Sequence, residues 1–169
     1  VCSSDLSFDT LDYTSGKFNL GSKAIMVGVG EKKRDLRRTM PEKLPQGVRA
    51  AEIFCGGCIV IEAEGYESNP GLLDQLIRDT ELQDFQLVVL HDDIKFARRV
   101  EDFLWATWTR FNPSTDMRSR EVEVVNNHVR FGGPIGIDAR MKPWHPKEVE
   151  PAPETVRLVN ERWSEYFGR

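Results

Sequence analysis

F-Q-L-V-V-L-H-D-D-I-K-F-A-R-R-V-E-D-F-L-W-A-T-W-T-R-F, residues 85–111, carries most of the fold information in this chain. Leu87, Val88, Val89 and Leu90 are four apolar residues in a row. Such a run predicts a strand buried on both faces, as in the middle of a parallel sheet. Val100, Phe103, Leu104, Thr107, Trp108 and Phe111 then fall at i, i+3, i+4, i+7, i+8 and i+11, one face of a helix. Phe103 and Leu104 are expected in the core, worth roughly 1.5–3 kcal/mol each. Asp92 or Asp93 can cap the helix start and favour its positive end. Asn112-Pro113 ends it, because a residue before proline avoids the helical region.

The same reading extends outward. Ala24–Val29 and Cys58–Ala63 are short apolar runs that predict strands. Asn69-Pro70-Gly71 is turn chemistry and leads into Leu72, Leu73, Leu76 and Ile77, a helix to about Leu82. Glu121–Val125 predicts a strand, Gly132-Gly133-Pro134 a loop, and Pro143–Pro153 an extended segment. Glu154–Phe167 predicts a last helix with the stripe Val156, Val159, Trp163 and Phe167, closed by Gly168. Strands alternating with helices indicate the α/β class, layered α/β/α around a small mixed, largely parallel sheet.

Asp9–Gly21 reads as an arm, and Lys32–Gln46 as a charged, proline-bounded linker. Val1–Leu6 looks like one reading frame of a sequencing adapter and is set aside. The expected organisation is therefore 1–6 as adapter, 7–46 as arm and linker, and 47–169 as one α/β domain.

A chain of 169 residues suits one domain with a real core. The net charge of -4 gives no basic footprint for nucleic acid. The basic run around Lys32, Lys33, Arg34, Arg37 and Arg38 is interrupted by Asp35 and reads as a solvated segment. No apolar run reaches the ~20 residues of a membrane helix, and no secretory signal is present. Three cysteines are too few for a disulfide framework. The expected location is the cytoplasm.

Four motifs invite function. In Cys55-Gly56-Gly57-Cys58, a redox pair should open a helix, which lowers the thiol pKa; here a strand follows, so close packing of small residues is preferred. Gly28-Val29-Gly30 lacks the third glycine and the Walker lysine of a phosphate loop. His91-Asp92-Asp93 stands at the carboxyl end of the central strand, where open α/β sheets bind ligands. It could hold a cation or move protons, or simply be a helix cap beside a surface histidine. Trp105, Trp108, Trp144 and Trp163 are expected in the core or in an interface.

The order of elements from Phe85 onward adds a resemblance. Asp92-Asp93-Ile94, Leu104-Trp105-Ala106, Thr109-Arg110 with Pro113 and Asp116, Gly136-Ile137-Asp138-Ala139 and Lys142 follow one another as D-D-I, W-A, T-R-x-x-P-x-x-D and G-x-D-A. This resembles the C-terminal domain of the UbiD family. The Glu161-Arg162-Trp163 helix is similar to the family's ending. His91, Lys95, Arg140 and the order Pro143-Trp144 depart from the family pattern and leave the substrate class open. The resemblance implies a carboxy-lyase acting reversibly on aromatic or unsaturated carboxylic acids. It implies prenylated FMN with a divalent metal and a monovalent cation in the full-length enzyme. The family's catalytic Glu-Arg-Glu set lies in another domain, whose E-G-P-F-G-E-like motif is absent here. No catalytic residue is therefore assigned to this chain, no flavin is expected on it alone, and its implied role is lid and homo-oligomer contact. The alternatives are a non-catalytic subunit or assembly module, and a small CxxC redox or metal protein.

Overall fold

A computed structural model describes residues 31, 35–126, 128–146 and 150–168. The predicted strand Ala24–Val29, the arm Asp9–Gly21 and the Gly28-Val29-Gly30 motif lie outside them.

Five strands form one sheet: β1 (Val48–Cys55), β2 (Cys58–Ala63), β3 (Leu87–His91), β4 (Met117–Val125) and β5 (His128–Asp138), in the order β1-β2-β3-β5-β4. β2, β3 and β5 run parallel, and β1 and β4 pair antiparallel at the two edges. The sheet is thus mixed, with its parallel part confined to the three central strands. β1 and β4 each join their neighbour through a tight hairpin, and a hairpin forces antiparallel pairing.

Alternation along the buried strands feeds two cores. Ile59, Ile61, Val88 and Leu90 point to one face and pack with Leu72, Leu73, Leu76, Ile77, Leu82 and Phe85. Val60, Val89 and Ile137 point to the other and pack with Ala97, Phe103 and Phe111. Helix α1 (Leu72–Leu76) covers the first face and α2 (Val100–Arg110) the second. This is the expected α/β/α layering, and it follows from the period of two in a strand buried on both sides.

Several boundaries differ from the sequence reading. The helix expected to reach Leu82 stops at Leu76, and a 3-10 turn, Thr80–Leu82, begins afresh. Asp79 is extended and accepts from the Glu81 N–H, while the Gln83 amide donates to the carbonyls of Ile77 and Asp79. Those side chains capture the groups that a continuous helix would have paired. Gly132-Gly133-Pro134 is not a loop but part of β5. Gly133 has φ +93°, and the register shifts between Ser119 and Glu121, opposite it. This is a bulge of the kind that needs glycine. Gly136 also has no room for a side chain: an added Cβ would sit 2.6 Å from Leu73 Cδ1 and 2.7 Å from Ile77 Cγ2. α1 can approach the sheet only because this position is bare.

The predicted face of α2 is rotated. Phe103, Ala106, Thr107 and Arg110 are buried, whereas Val100 and Leu104 are 56% and 47% exposed. Phe103 stacks on Phe54 of β1 at 3.8 Å between centroids, which turns Leu104 outward. All four tryptophans are outside the core, with Trp105 75% exposed. The closing helix is broken at Arg162 into α3 (Pro153–Glu161) and α4 (Trp163–Phe167), and neither buries a residue. Gly168 ends it in the left-handed conformation at φ 64°, as its sequence position predicts. No helix among the described residues is long and apolar enough to cross a membrane.

Candidate functional site

Polar residues gather at the carboxyl ends of β3 and β5. β3 delivers His91 and, just past its end, Asp92. β5 delivers Asp138, and the segment after it delivers Arg140 and Lys142. α2 contributes Thr107 and Arg110, and the turn after it Asp116. Apart from Asp92, these residues are buried.

His91-Asp92-Asp93 separates in three directions. The His91 ring is not at the surface but faces α2, where Nε2 lies 2.9 Å from Thr107 Oγ1, and it tilts against Phe96 at 5.1 Å. Its Nδ1 is buried without a hydrogen-bond partner. Desolvation, then the charge of Arg110, pushes its pKa down to about 4, so it is neutral near pH 7. Asp92 turns instead to the segment after β5: Oδ2 accepts the Met141 N–H at 2.7 Å and lies 3.6 Å from Arg110 Nη1. Asp93 caps the 3-10 turn Ile94–Ala97, accepting from Lys95 N at 2.8 Å and pairing with Lys95 Nζ at 2.9 Å. The Lys95 backbone bond is the main reason its carboxyl sits below the usual range. The cap therefore serves a short turn, and α2 starts later without a side-chain cap.

Two buried ion pairs hold the centre. Arg140 grips Asp138 with Nε to Oδ1 at 3.0 Å and Nη2 to Oδ2 at 2.7 Å. Its Nη1 and Nη2 also donate to the carbonyls of Glu64 and Asn69, both at 3.0 Å. Lys142 Nζ donates to the carbonyls of Asp138 at 2.8 Å and Arg110 at 3.1 Å, and pairs with Asp116 at 3.0 Å. Its three protons are thereby used. Asp116 in turn accepts the Asn112 N–H at 2.8 Å. Tyr66 lies beneath both cations, 5.3 Å from the Arg140 guanidinium and 5.6 Å from Lys142 Nζ. His145 closes the cluster by accepting the Lys142 N–H at Nδ1; burial and the Lys142 charge hold its pKa down.

Asp92, Asp116 and Asp138 thus face Arg110, Arg140 and Lys142, three carboxylates against three cations. Charges buried this deeply persist when they are paired and hydrogen-bonded. The network ties the end of α2, the end of β3 and the chain after β5 into one unit. Of these residues, sequence reading singled out only His91 and Asp92 as a possible site. Arg110, Asp116, Asp138 and Lys142 entered only as motif letters, and Arg140 only as a departure. One signal was present: each motif sets a charge beside apolar neighbours.

Arg140 and Lys142 are buried and direct their hydrogen bonds to carbonyls and carboxylates of the protein itself. Among the described residues no group of three or more His, Cys, Asp or Glu side chains could hold a metal ion. Cys55 and Cys58 sit apart from this cluster, at the β1–β2 turn.

No family model matches the chain. Individual proteins do match it. An uncharacterized protein of Chlamydia caviae is 39% identical over 167 residues, 98% of this chain and 28% of the relative. A protein of Chlamydia pneumoniae, named as a subunit of 4-hydroxybenzoate decarboxylase, is 36% identical over 165 residues, 97% of this chain and 28% of the relative. The match to a protein named for a decarboxylase fits the UbiD-type resemblance drawn from the motif order. It spans a little over a quarter of the length of these curated relatives, 28% in each. Among solved structures, the vanillic acid decarboxylase of Sedimentibacter hydroxybenzoicus in closed form is 18% identical, with a TM-score of 0.49 over 68% of this chain and 27% of that one. That likeness is too loose to carry weight. The UbiD-type motif letters, scattered over Asp92, Arg110, Asp116, Asp138 and Lys142, meet in the one buried network described above.

Proposed function

We propose that this chain is the non-catalytic α/β part of a UbiD-like carboxy-lyase, serving it as lid and oligomer contact. The enzyme would decarboxylate, or in reverse carboxylate, an aromatic or unsaturated carboxylic acid. Its prenylated FMN, divalent metal and monovalent cation would be held by a part of the protein beyond these residues. The observation that carries the reading is the match of nearly the whole chain to about a quarter of its relatives, one of them named as part of a decarboxylase.

The site geometry supports a scaffold role. The buried network uses its charges internally, so it can fix one wall of a pocket without itself moving protons. Such a wall excludes water and strengthens the electrostatics of whatever it covers. The apolar surfaces support the contact role. Val100, Leu104, Trp105 and Trp108 on α2, and Val156, Val159, Trp163 and Phe167 on α3 and α4, are exposed. Exposed apolar stripes of this extent mark interaction surfaces.

A second reading makes the chain part of a separate non-catalytic subunit in a carboxylase complex. The naming of the Chlamydia pneumoniae relative as one subunit among others favours keeping it. One experiment separates the two: expression of the complete gene without any partner gene. Flavin absorbance and release of carbon dioxide from an aromatic acid would support the first reading. An apoprotein that gains both only with a second gene would support the other. Flavin copurifying with residues 35–168 alone would overturn the scaffold role.

A further inference from the structure

Cys55 and Cys58 flank the tight turn Gly56-Gly57 and are direct partners across the β1–β2 ladder. Opposed residues of an antiparallel pair lie ~4.5–5.5 Å apart at Cα. That falls inside the ~4.4–6.8 Å that a disulfide spans. Opposed side chains also share a face, which sets the two thiols side by side at the hairpin tip. Cys55 is exposed and Cys58 is 4% exposed, packed in the α2-side core. A thioredoxin-like motif works from a helix start; this pair sits on a hairpin, and its geometry suits closure rather than catalysis.

We infer that Cys55 and Cys58 form a reversible, cross-strand disulfide, a redox modification site at the hairpin tip. The exposed Cys55 thiolate attacks a low-molecular-weight disulfide, whose S–S bond breaks and releases one small thiol. Cys58 then attacks the Cys55 sulfur of the mixed disulfide and expels the second small thiol. The protein loses two S–H hydrogens and gains one S–S bond, and the small disulfide is reduced to two thiols. Burial and the neighbouring Cys55 push the Cys58 thiol up to about 12, so the second step is the slow one.

The link closes a loop of two intervening residues. So short a loop removes little entropy from the unfolded chain, and an accessible sulfur is open to exchange. The bond is therefore a labile sensor, not a staple. Its position gives it reach. The Gly57 N–H donates to the Arg37 carbonyl, and the Gly57 carbonyl accepts from Gln86 and Leu87 at the start of β3. Arg38 lies over Gly56, where an added Cβ would sit 3.1 Å from its Cζ. Oxidation at the tip acts on a junction of three segments, at the opposite end of the parallel strands from the buried charge network.

The test equilibrates the reduced chain with oxidised and reduced glutathione, alkylates the remaining thiols and maps the tryptic peptides. Residues 50–78 form one such peptide and carry both cysteines. The expected result is that peptide lighter by two hydrogens and unalkylated, restored by a dithiol reductant. Cys58→Ser should instead keep a stable glutathione adduct on Cys55. Cys55→Ser should leave Cys58 without adduct and open to alkylation only after unfolding. Two free thiols in the wild-type peptide after oxidation, a lasting Cys55 adduct without the internal link, or a link to Cys2 would each overturn the inference.

Discussion

The strand ends and the helix surfaces invert each other. At the carboxyl ends of β3 and β5, six charged side chains converge and most are buried. On α2, α3 and α4, large apolar side chains stand in solvent. A lone charge inside and a lone tryptophan outside are each costly or idle; grouped, each has a reason. The inner group is neutral in sum and each charge in it has an opposite partner, and so it specifies how three segments meet. The outer group is the area that the proposed contact role would use.

The largest effect is expected from Arg140→Leu in the inner group. It leaves Asp138 buried and uncompensated, which costs about 3–5 kcal/mol. Urea unfolding of the two proteins should differ by that amount. The double change with Asp138→Leu should recover most of the loss, since replacing a buried pair together is far less costly than breaking it. A double variant as weak as the single one would show that the pair acts through contacts other than its charges.

Acid tests the same region next. The folded pKa of His91 is lowered to about 4 from an ordinary 6.5, so below pH 6.5 the unfolded chain binds the proton more readily. Stability is thus fully present above that value and falls as pH drops toward 4, by up to about 3 kcal/mol. His145, also lowered, acts in the same direction. His91→Gln can keep a bond to Thr107 and should flatten the slope of unfolding free energy between pH 6.5 and 4. An unchanged slope would mean that the ring is not what resists protonation.

The outer group should respond least in stability. Trp105→Ser and Trp163→Ser touch no core and should change unfolding free energy by no more than about 0.5 kcal/mol. In the full-length protein the proposed contact role requires that they lower the sedimenting mass. A large loss of stability with unchanged mass would place these tryptophans in the fold instead.

Legibility followed the same division. The apolar run Leu87–Leu90 announced its strand, and Cys58–Ala63 and the end of α2 at Asn112-Pro113 were equally plain. β1 was not legible, because Val48–Cys55 is half-buried at an edge and mixes alanine, arginine and glutamate. The bulge in β5 read as a loop, because Gly132-Gly133-Pro134 carries loop composition whichever role it serves. The face of α2 was misjudged because periodicity gives a stripe but not what lies opposite; Phe54 set the rotation.

For the candidate site, adjacency in sequence was misleading. His91, Asp92 and Asp93 are neighbours on the chain and point three ways, since alternation and a cap pull them apart. Asp92 meets Arg110 and Met141, which are far along the chain. Residue order was enough for the α/β class, the two-sided burial of β3 and the family resemblance, because these rest on local periodicity and ordered motifs. Three-dimensional packing was needed to learn which charges pair and that the tryptophans stay outside the core. Those contacts depend on register and packing between distant segments, which no local pattern encodes.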